Sequence, residues 1–303
     1  MRRVAIIAKG HYFKAYGDAL SAAFAKNGDE VVRFSTDTYE VPQLDCDINV
    51  VVGPNVYNHT FISNLKGKKV AVLTEQLPHI GYAPSFFVVD RFQQFQRHKD
   101  LYDLYIEWSE MNAEFLKTQF PALNIAVFPH GFIDSGLIHL PTSQCEWDLC
   151  FFGSMSDRRE DILNELKKTK MRIYPKHEDV WGPEKYDTMR KTIIVLNMHF
   201  AESPLSFEAH RIFDIISVGR PIVSEKMNGV PTALLNNGLG RAMFRYDELL
   251  DGINDCLNKP AHALDTIGSS LRFIAEHRYP MEKLVRVIDT HLTKPVSELE
   301  IYD

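Results

Sequence analysis

Cysteine is scarce in this chain: four in 303 residues, at Cys46, Cys145, Cys150 and Cys256. That number and scatter exclude a disulfide scaffold, and the C-x4-C pair of Cys145 and Cys150 has no second pair to complete a zinc site. Each cysteine lies beside or inside an apolar run, which fits buried thiols in a reducing compartment. Long hydrophobic runs are missing as well. Nothing approaches the ~20 residues of a membrane span, and the short apolar run after Arg3 is broken by Lys9-Gly10-His11, too soon for a signal peptide. A cytoplasmic protein is expected. Basic charge is not in excess either. Forty acidic against 34 basic residues give a net charge of −6, which disfavours binding nucleic acid through a broad basic field. Lys9, Lys14 and the lysines at 66, 68 and 69 are the candidates for a local basic strip in the N-terminal half.

Three motifs are absent. After the first apolar run the chain reads Ala8-Lys9-Gly10-His11-Tyr12-Phe13, not G-x-G-x-x-G, and no Walker A sequence occurs. A conventional NAD enzyme or P-loop NTPase is thereby excluded. Asp45-Cys46-Asp47 precedes a strand rather than following one, so no Asp-x-Asp metal site is expected and no cofactor or metal is called for.

What is present is a regular grammar. With 45% hydrophobic residues, the chain alternates short β-branched runs with helical stretches. Strands are predicted at 4–8, 30–35, 48–52, 69–74, 103–108 and 124–128, with helices at 16–27, 57–66, 91–101 and 110–119. After a turn-rich stretch at 133–146 the pattern restarts. Strands at 147–152, 171–174, 192–197, 221–224 and 241–244 alternate with helices at 158–169, 184–191 and 207–218, and three helices close the chain. Fully apolar strands between helices are the mark of parallel sheets covered on both faces. The expected fold is α/β, with two Rossmann-like domains, 1–140 and 141–303, facing a cleft. The last helix is free to pack back on the first domain.

In such sheets ligands bind beyond the carboxyl ends of the strands. In the first half those positions carry His11, Asn55, Glu75, Ser109 and the run Pro129-His130-Gly131. In the second half they carry Gly153-Ser154, His177, Asn197-Met198-His199 and Ser224-Glu225. Polar loops are ordinary, so each residue also has a purely structural reading. Within 202–226, Glu208, Arg211 and Asp214 are spaced i, i+3, i+6. A helix start can hold a phosphate, and a carboxylate one turn in can accept two ribose hydroxyls. The same spacing also suits a solvated salt-bridge ladder.

The ordered blocks of residues 103–226 resemble glycosyltransferases of the GT-B architecture, in particular the group-1 and spore-maturation CgeB-like branch. The carrying residues are Arg211-Ile-Phe213-Asp214 followed by a small-residue helix ending at Gly219 and a strand. Trp147-Asp148 through Gly153-Ser154, followed by Arg158 or Arg159, is similar to the opening of the family's second domain. Asn197-Met198-His199 is similar to its strand end, and Phe128-Pro129-His130-Gly131 to the block closing its first domain. The resemblance implies a hexosyltransferase using a nucleotide-diphosphate sugar, with a UDP-sugar favoured. It implies that Asp214 meets the ribose and that Arg211 and Arg158 meet the diphosphate beside the amides after Gly153. Gly153, Ser154, Arg158, Asn197, His199, Glu208, Arg211 and Asp214 form the implied donor set, with the base near 174–181. His130 and Gly131 adjoin the hinge. Two departures stand out: the helix carboxylate is Asp rather than Glu, and Ser206 occupies the position of the retaining branch's first acid. The stereochemistry therefore stays open.

On the acceptor side Glu75 is the candidate general base and His11 its competitor, because imidazole titrates near neutral pH. Tyr12, Phe13, Tyr57, His59, His79 and Tyr82 mix flat rings with polar groups, which suits a saccharide acceptor. DNA as acceptor, a sugar-nucleotide epimerase or hydrolase, and a non-catalytic nucleotide-sugar-binding protein are the alternatives.

Overall fold

Val4, Ala5, Ile6, Ile7 and Ala8 are all completely buried, as a strand covered on both faces must be. They belong to β1 (Arg3–Ala8) of a computed structural model that describes residues 1–34, 45–78, 86–202 and 206–293; the side chains of His11, Phe86 and Phe87 are outside that description. The chain divides into two units, Met1–Gly131 with Tyr279–Asp303, and Phe132–Arg278.

In the first unit, β1 is joined by β2 (Glu30–Phe34), β3 (Ile48–Val52), β4 (Lys68–Val72), β5 (Leu104–Glu107) and β6 (Ile125–Val127) in one parallel sheet of order β2-β1-β3-β4-β5-β6. The connecting helices are α1 (Gly10–Lys26), α2 (His59–Asn64), α3 (Phe86–His98) and α4 (Glu110–Gln119). The register aligns Ile7, Val51, Ala71, Tyr105 and Ile125 across the sheet, and Phe61, Phe95 and Leu116 pack against that row. Because β1 lies between β2 and β3, the direction of sheet growth reverses there, making the carboxyl ends of β1 and β3 a topological switch point. Gly53 sits at that point with φ 65°, and a Cβ on it would fall 2.8 Å from the Phe13 ring. Helix α1 starts at Gly10, earlier than its periodicity predicts, because a non-helical Phe13 (φ −117°, ψ 18°) joins an extra turn to it. His11 therefore lies in a helical first turn rather than a loop.

The second unit holds β7 (Trp147–Phe151), β8 (Thr192–Asn197), β9 (Ile222–Glu225) and β10 (Met243–Phe244), all parallel, in the order β10-β9-β8-β7. Its helices are α5 (Asp157–Lys167), α6 (Gly182–Arg190), α7 (Ala209–Val218), α8 (Thr232–Asn236), α9 (Leu249–Leu257) and α10 (Ala261–Arg278). The strand expected at 171–174 is reduced to one parallel bridge between Leu149 and Ile173. Two features cut it short. The N–H of Arg172 is taken by the Asp148 carboxylate at 2.8 Å, and Pro175 has no N–H to continue a ladder. The bridge nevertheless leaves β7 flanked by Ile173 on one side and β8 on the other, so the switch point of this sheet lies at the ends of β7 and β8. Helix α10 packs on α7. At the contact Gly268 is so close to the chain leaving α7 that a Cβ would overlap the carbonyl oxygen of Gly219.

The chain then returns to the first unit as α11 (Met281–Thr293), whose Met281, Leu284, Val285, Val287 and Ile288 are buried. It lies on α1, where Arg2 bridges Asp29 and Asp289 and Lys26 pairs with Glu282 at 2.7 Å. All four cysteines are free and buried. Among the described residues no helix is long and apolar enough to cross a membrane.

Candidate functional site

The switch point of the second sheet gathers most of the residues singled out in sequence. Gly153 follows β7 with φ 149°, and a Cβ there would lie 3.2 Å from a guanidinium nitrogen of Arg211 and 3.3 Å from one of Arg159. Two cationic groups thus converge on a glycine at positive φ, where an added Cβ would press on both. Arg159, in the first turn of α5, is 2% exposed. Its Nη1 donates to the Ser154 carbonyl at 2.6 Å, and Nε and Nη2 donate to the Met198 carbonyl. Desolvation, with Arg211 nearby, pushes its pKa down to about 9, the signature of a cation held without enough negative charge. Among the described residues it makes no ion pair. Close by, Ser156 precedes α5 without capping it, and its Oγ is buried with no hydrogen-bond partner among the described residues.

Arg211, on α7, donates from Nη1 to Asn197 Oδ1 at 2.9 Å, to the Met198 carbonyl at 3.0 Å and to Glu208 Oε2 at 3.0 Å. The Asn197 amide is fixed from its other end, where Nδ2 donates to Ser224 Oγ at 3.0 Å. Glu208 also faces His199 Nδ1 at 3.7 Å. Burial would raise the Glu208 pKa, but Arg211, His199 and Arg159 outweigh it and hold the carboxyl well below the usual range. His199 lies 3.1 Å from the Lys226 carbonyl through Nε2, so that nitrogen carries the proton. Arg158 grips Glu225 with two nitrogens, at 2.7 and 3.1 Å, and stacks 4.1 Å from the Tyr246 ring. Glu225 is itself 3% exposed and also accepts the His199 N–H. Around Gly153, therefore, Arg159 and Arg211 share the single carboxylate of Glu208, a local cationic excess inside an acidic chain, while Arg158 is matched by Glu225.

Asp214 faces elsewhere. Lys185 donates to its Oδ2, Tyr186 donates to its Oδ1 at 2.8 Å, and His210 Nε2 lies 3.9 Å from Oδ2. Of the predicted stripe, Glu208 and Arg211 meet each other while Asp214 engages α6. Geometry explains the split: each three-residue step drifts about 60° around a helix, and Glu208 is a cap residue outside the helical turns. Sequence reasoning missed Lys185 and Tyr186. The available signal was a lysine one turn before Met189, on the face where Thr188 and Met189 are buried.

In the first unit Glu75 follows β4. Its Oε1 accepts from Asn55 at 3.3 Å and Thr74 at 3.4 Å and lies 3.5 Å from Arg91. It lines a cavity of about 30 Å³ with Pro54, Leu73, Leu77 and Phe95. Desolvation among these side chains raises its pKa, with Arg91 opposing. His130 has φ 61° and is 1% exposed; its Nδ1 lies 2.8 Å from the Gly131 carbonyl and its ring lies 4.7 Å from Tyr16 and 4.8 Å from Trp108. Gly131, at φ 97°, lies against Met281. Tyr57 stacks on Phe61 in the core and presents no ring for a saccharide. His79, Tyr82 and the His11 side chain lie outside the described residues. Unanticipated from sequence is Glu107, 2% exposed at the end of β5. Its Oε1 accepts from the N–H groups of Trp108 and Ser109 and from Asn112, while Oε2 is buried with no hydrogen-bond partner among the described residues. No group of three or more His, Cys, Asp or Glu that could hold a metal occurs among the described residues.

No family model matches the chain. It is 22% identical over 289 residues to the uncharacterized protein L140 of Acanthamoeba polyphaga mimivirus, covering 94% of this chain and 84% of that protein. Among solved structures it is similar to an Escherichia coli trehalose-6-phosphate protein bound with UDP-2-fluoro glucose (TM-score 0.59, 9% identity, 97% and 99% of the two chains). It is also similar to the Streptomyces sp. SF2575 glycosyltransferase SsfS6 complexed with thymidine diphosphate (0.52, 11% identity, 96% and 100%). A third neighbour is TarM of S. aureus (0.54, 14% identity), of which the chain covers 55% of the length. The fold of this chain is α/β with parallel sheets, in the GT-B architecture.

Proposed function

We propose that this chain is a nucleotide-sugar-dependent glycosyltransferase, related to the CgeB-like branch that its motif order resembles. A UDP-hexose is the favoured donor and a saccharide hydroxyl the favoured acceptor. The carrying observation is the cationic excess around Gly153, where Arg211 converges with Arg159, which makes no ion pair among the described residues, at a switch point beside the start of α5. A diphosphate supplies the missing negative charge, and fixed cations with helix amides stabilise it as it leaves, with no metal required. Arg158, clamped by Glu225, contributes field from one step away. Asp214 accepts the ribose hydroxyls through its carboxylate oxygens. Glu75, its pKa raised, takes the acceptor's proton as the hydroxyl attacks the anomeric carbon; His11 is the alternative base.

Calorimetry on Arg211→Met tests the donor reading. Removing a charge-assisted phosphate partner is expected to weaken UDP binding by about 1.5–3 kcal/mol and uridine binding far less. Equal losses for the two ligands would place Arg211 away from the phosphates. Sugar-nucleotide cleavage that proceeds at full rate without any acceptor would replace the transferase reading with a hydrolase.

A further inference from the structure

Consecutive residues of α6 hold opposite oxygens of one carboxylate. Lys185 donates to Asp214 Oδ2 and Tyr186 donates to Oδ1, with Lys185 and Asp214 only 8% and 5% exposed. An aspartate carboxylate otherwise turns freely about its last bond, because that torsion is broad and nearly two-fold. Donors fixed on one helix, one to each oxygen, leave it a single plane. A buried ion pair adds little net stability over apolar packing of the same volume, so the main consequence of this one is geometric. One turn earlier, Trp181 stands at the N-cap position of α6, 38% exposed, and the Lys185 ammonium lies 6.0 Å from its ring centroid. A flat apolar face and an oriented carboxylate are thus carried side by side by α6 and α7.

We infer that Lys185 and Tyr186 are positioning residues for ribose recognition: they fix the Asp214 carboxylate in the plane that receives the sugar hydroxyls of the nucleotide. The inference rests on the proposed role of Asp214. It also explains how an aspartate, one methylene shorter than the glutamate of the resembling family, serves in that place. A short side chain cannot search for its ligand, so its direction has to be set by neighbours. The two residues act on the hydroxyl contact alone, not on the diphosphate, and this separates the role from simple support of the fold.

The test compares UDP with 2′-deoxy-UDP and 3′-deoxy-UDP, and GDP with its deoxy forms, by calorimetry on the full chain. The wild type is expected to prefer the ribonucleotide by about tenfold, the value of one well-made hydrogen bond. Tyr186→Phe and Lys185→Met should cut that preference to about twofold while leaving the affinity for the deoxy form nearly unchanged; Lys185→Arg should restore part of it. Tyr186→Phe removes a single oxygen and carries the test if Lys185→Met does not fold. If Asp214→Asn abolishes the preference while both α6 variants retain it, the inference about α6 is overturned and the role of Asp214 stands. If the wild type shows no preference, or Asp214→Asn keeps it, the role of Asp214 falls and the inference falls with it.

Discussion

Glu107→Gln is expected to stabilise the protein by about 2–4 kcal/mol at pH 8 and to change nothing near pH 4. Burial pushes the Glu107 carboxyl up from 4.5 to about 8, against the Ser109, Asn112 and Trp108 donors that favour its ionised form. Below pH 4.5 the group is protonated in both the folded and the unfolded chain and contributes no pH dependence. Between 4.5 and 8 the unfolded chain releases this proton while the folded chain keeps it, so stability falls as pH rises through that window and levels off above it. At ~1.36 kcal/mol for each unit, the ceiling is about 5 kcal/mol, and relaxation of the surroundings lowers it. Glutamine keeps the shape and the Oε1 acceptor but never ionises. Urea unfolding from pH 4 to 8, read by Trp108 emission with Trp147 and Trp181 replaced by Phe, measures the slope. The same downward slope in wild type and variant would sink the assignment.

Gly268→Ala should destabilise the second unit by about 3 kcal/mol or more. Overpacking normally costs about 1–3 kcal/mol because side chains can shift aside. Here the added carbon meets the Gly219 carbonyl and the backbone of Arg220, which move only if α10 is displaced bodily. Gly219 ends α7 with φ 76°, so the strain passes directly to the helix that carries Arg211 and Asp214. The expected signs are a lowered unfolding midpoint and weakened UDP binding together. A variant as stable as the wild type would mean that the helices do not approach this closely in solution.

Much of the fold was legible because apolar runs between helices have one stable arrangement. The helix at 110–119 and the strands at 48–52 and 192–197 lie where periodicity puts them. The strand at 171–174 failed for a reason outside its own apolar content: Asp148 intercepts its N–H. The candidate site divides in the same way. Gly153, Asn197 and His199 stand at strand ends and Glu208 and Arg211 at the start of the helix after β8; these converge at one end of a parallel sheet, so their meeting was readable. Arg158 was assigned to the ligand, yet Glu225 holds it, because the choice of partner is made across elements that share no local pattern. Glu107 was passed over as the end of an apolar strand, and only its orphaned oxygen marks it out.

The return of α11 to the first unit has a consequence for biosynthesis. The second unit is one uninterrupted stretch and is complete as soon as Arg278 has left the ribosome. The first unit, although translated first, keeps its seat on α1 uncovered until α11 emerges. At ~5–20 residues per second, the synthesis between the end of α1 and the start of α11 exposes that apolar face for about 13–50 s. The order of maturation is thus the reverse of the order of translation, and a nascent chain stalled within α10 would present a finished second unit beside a first one still open to chaperones.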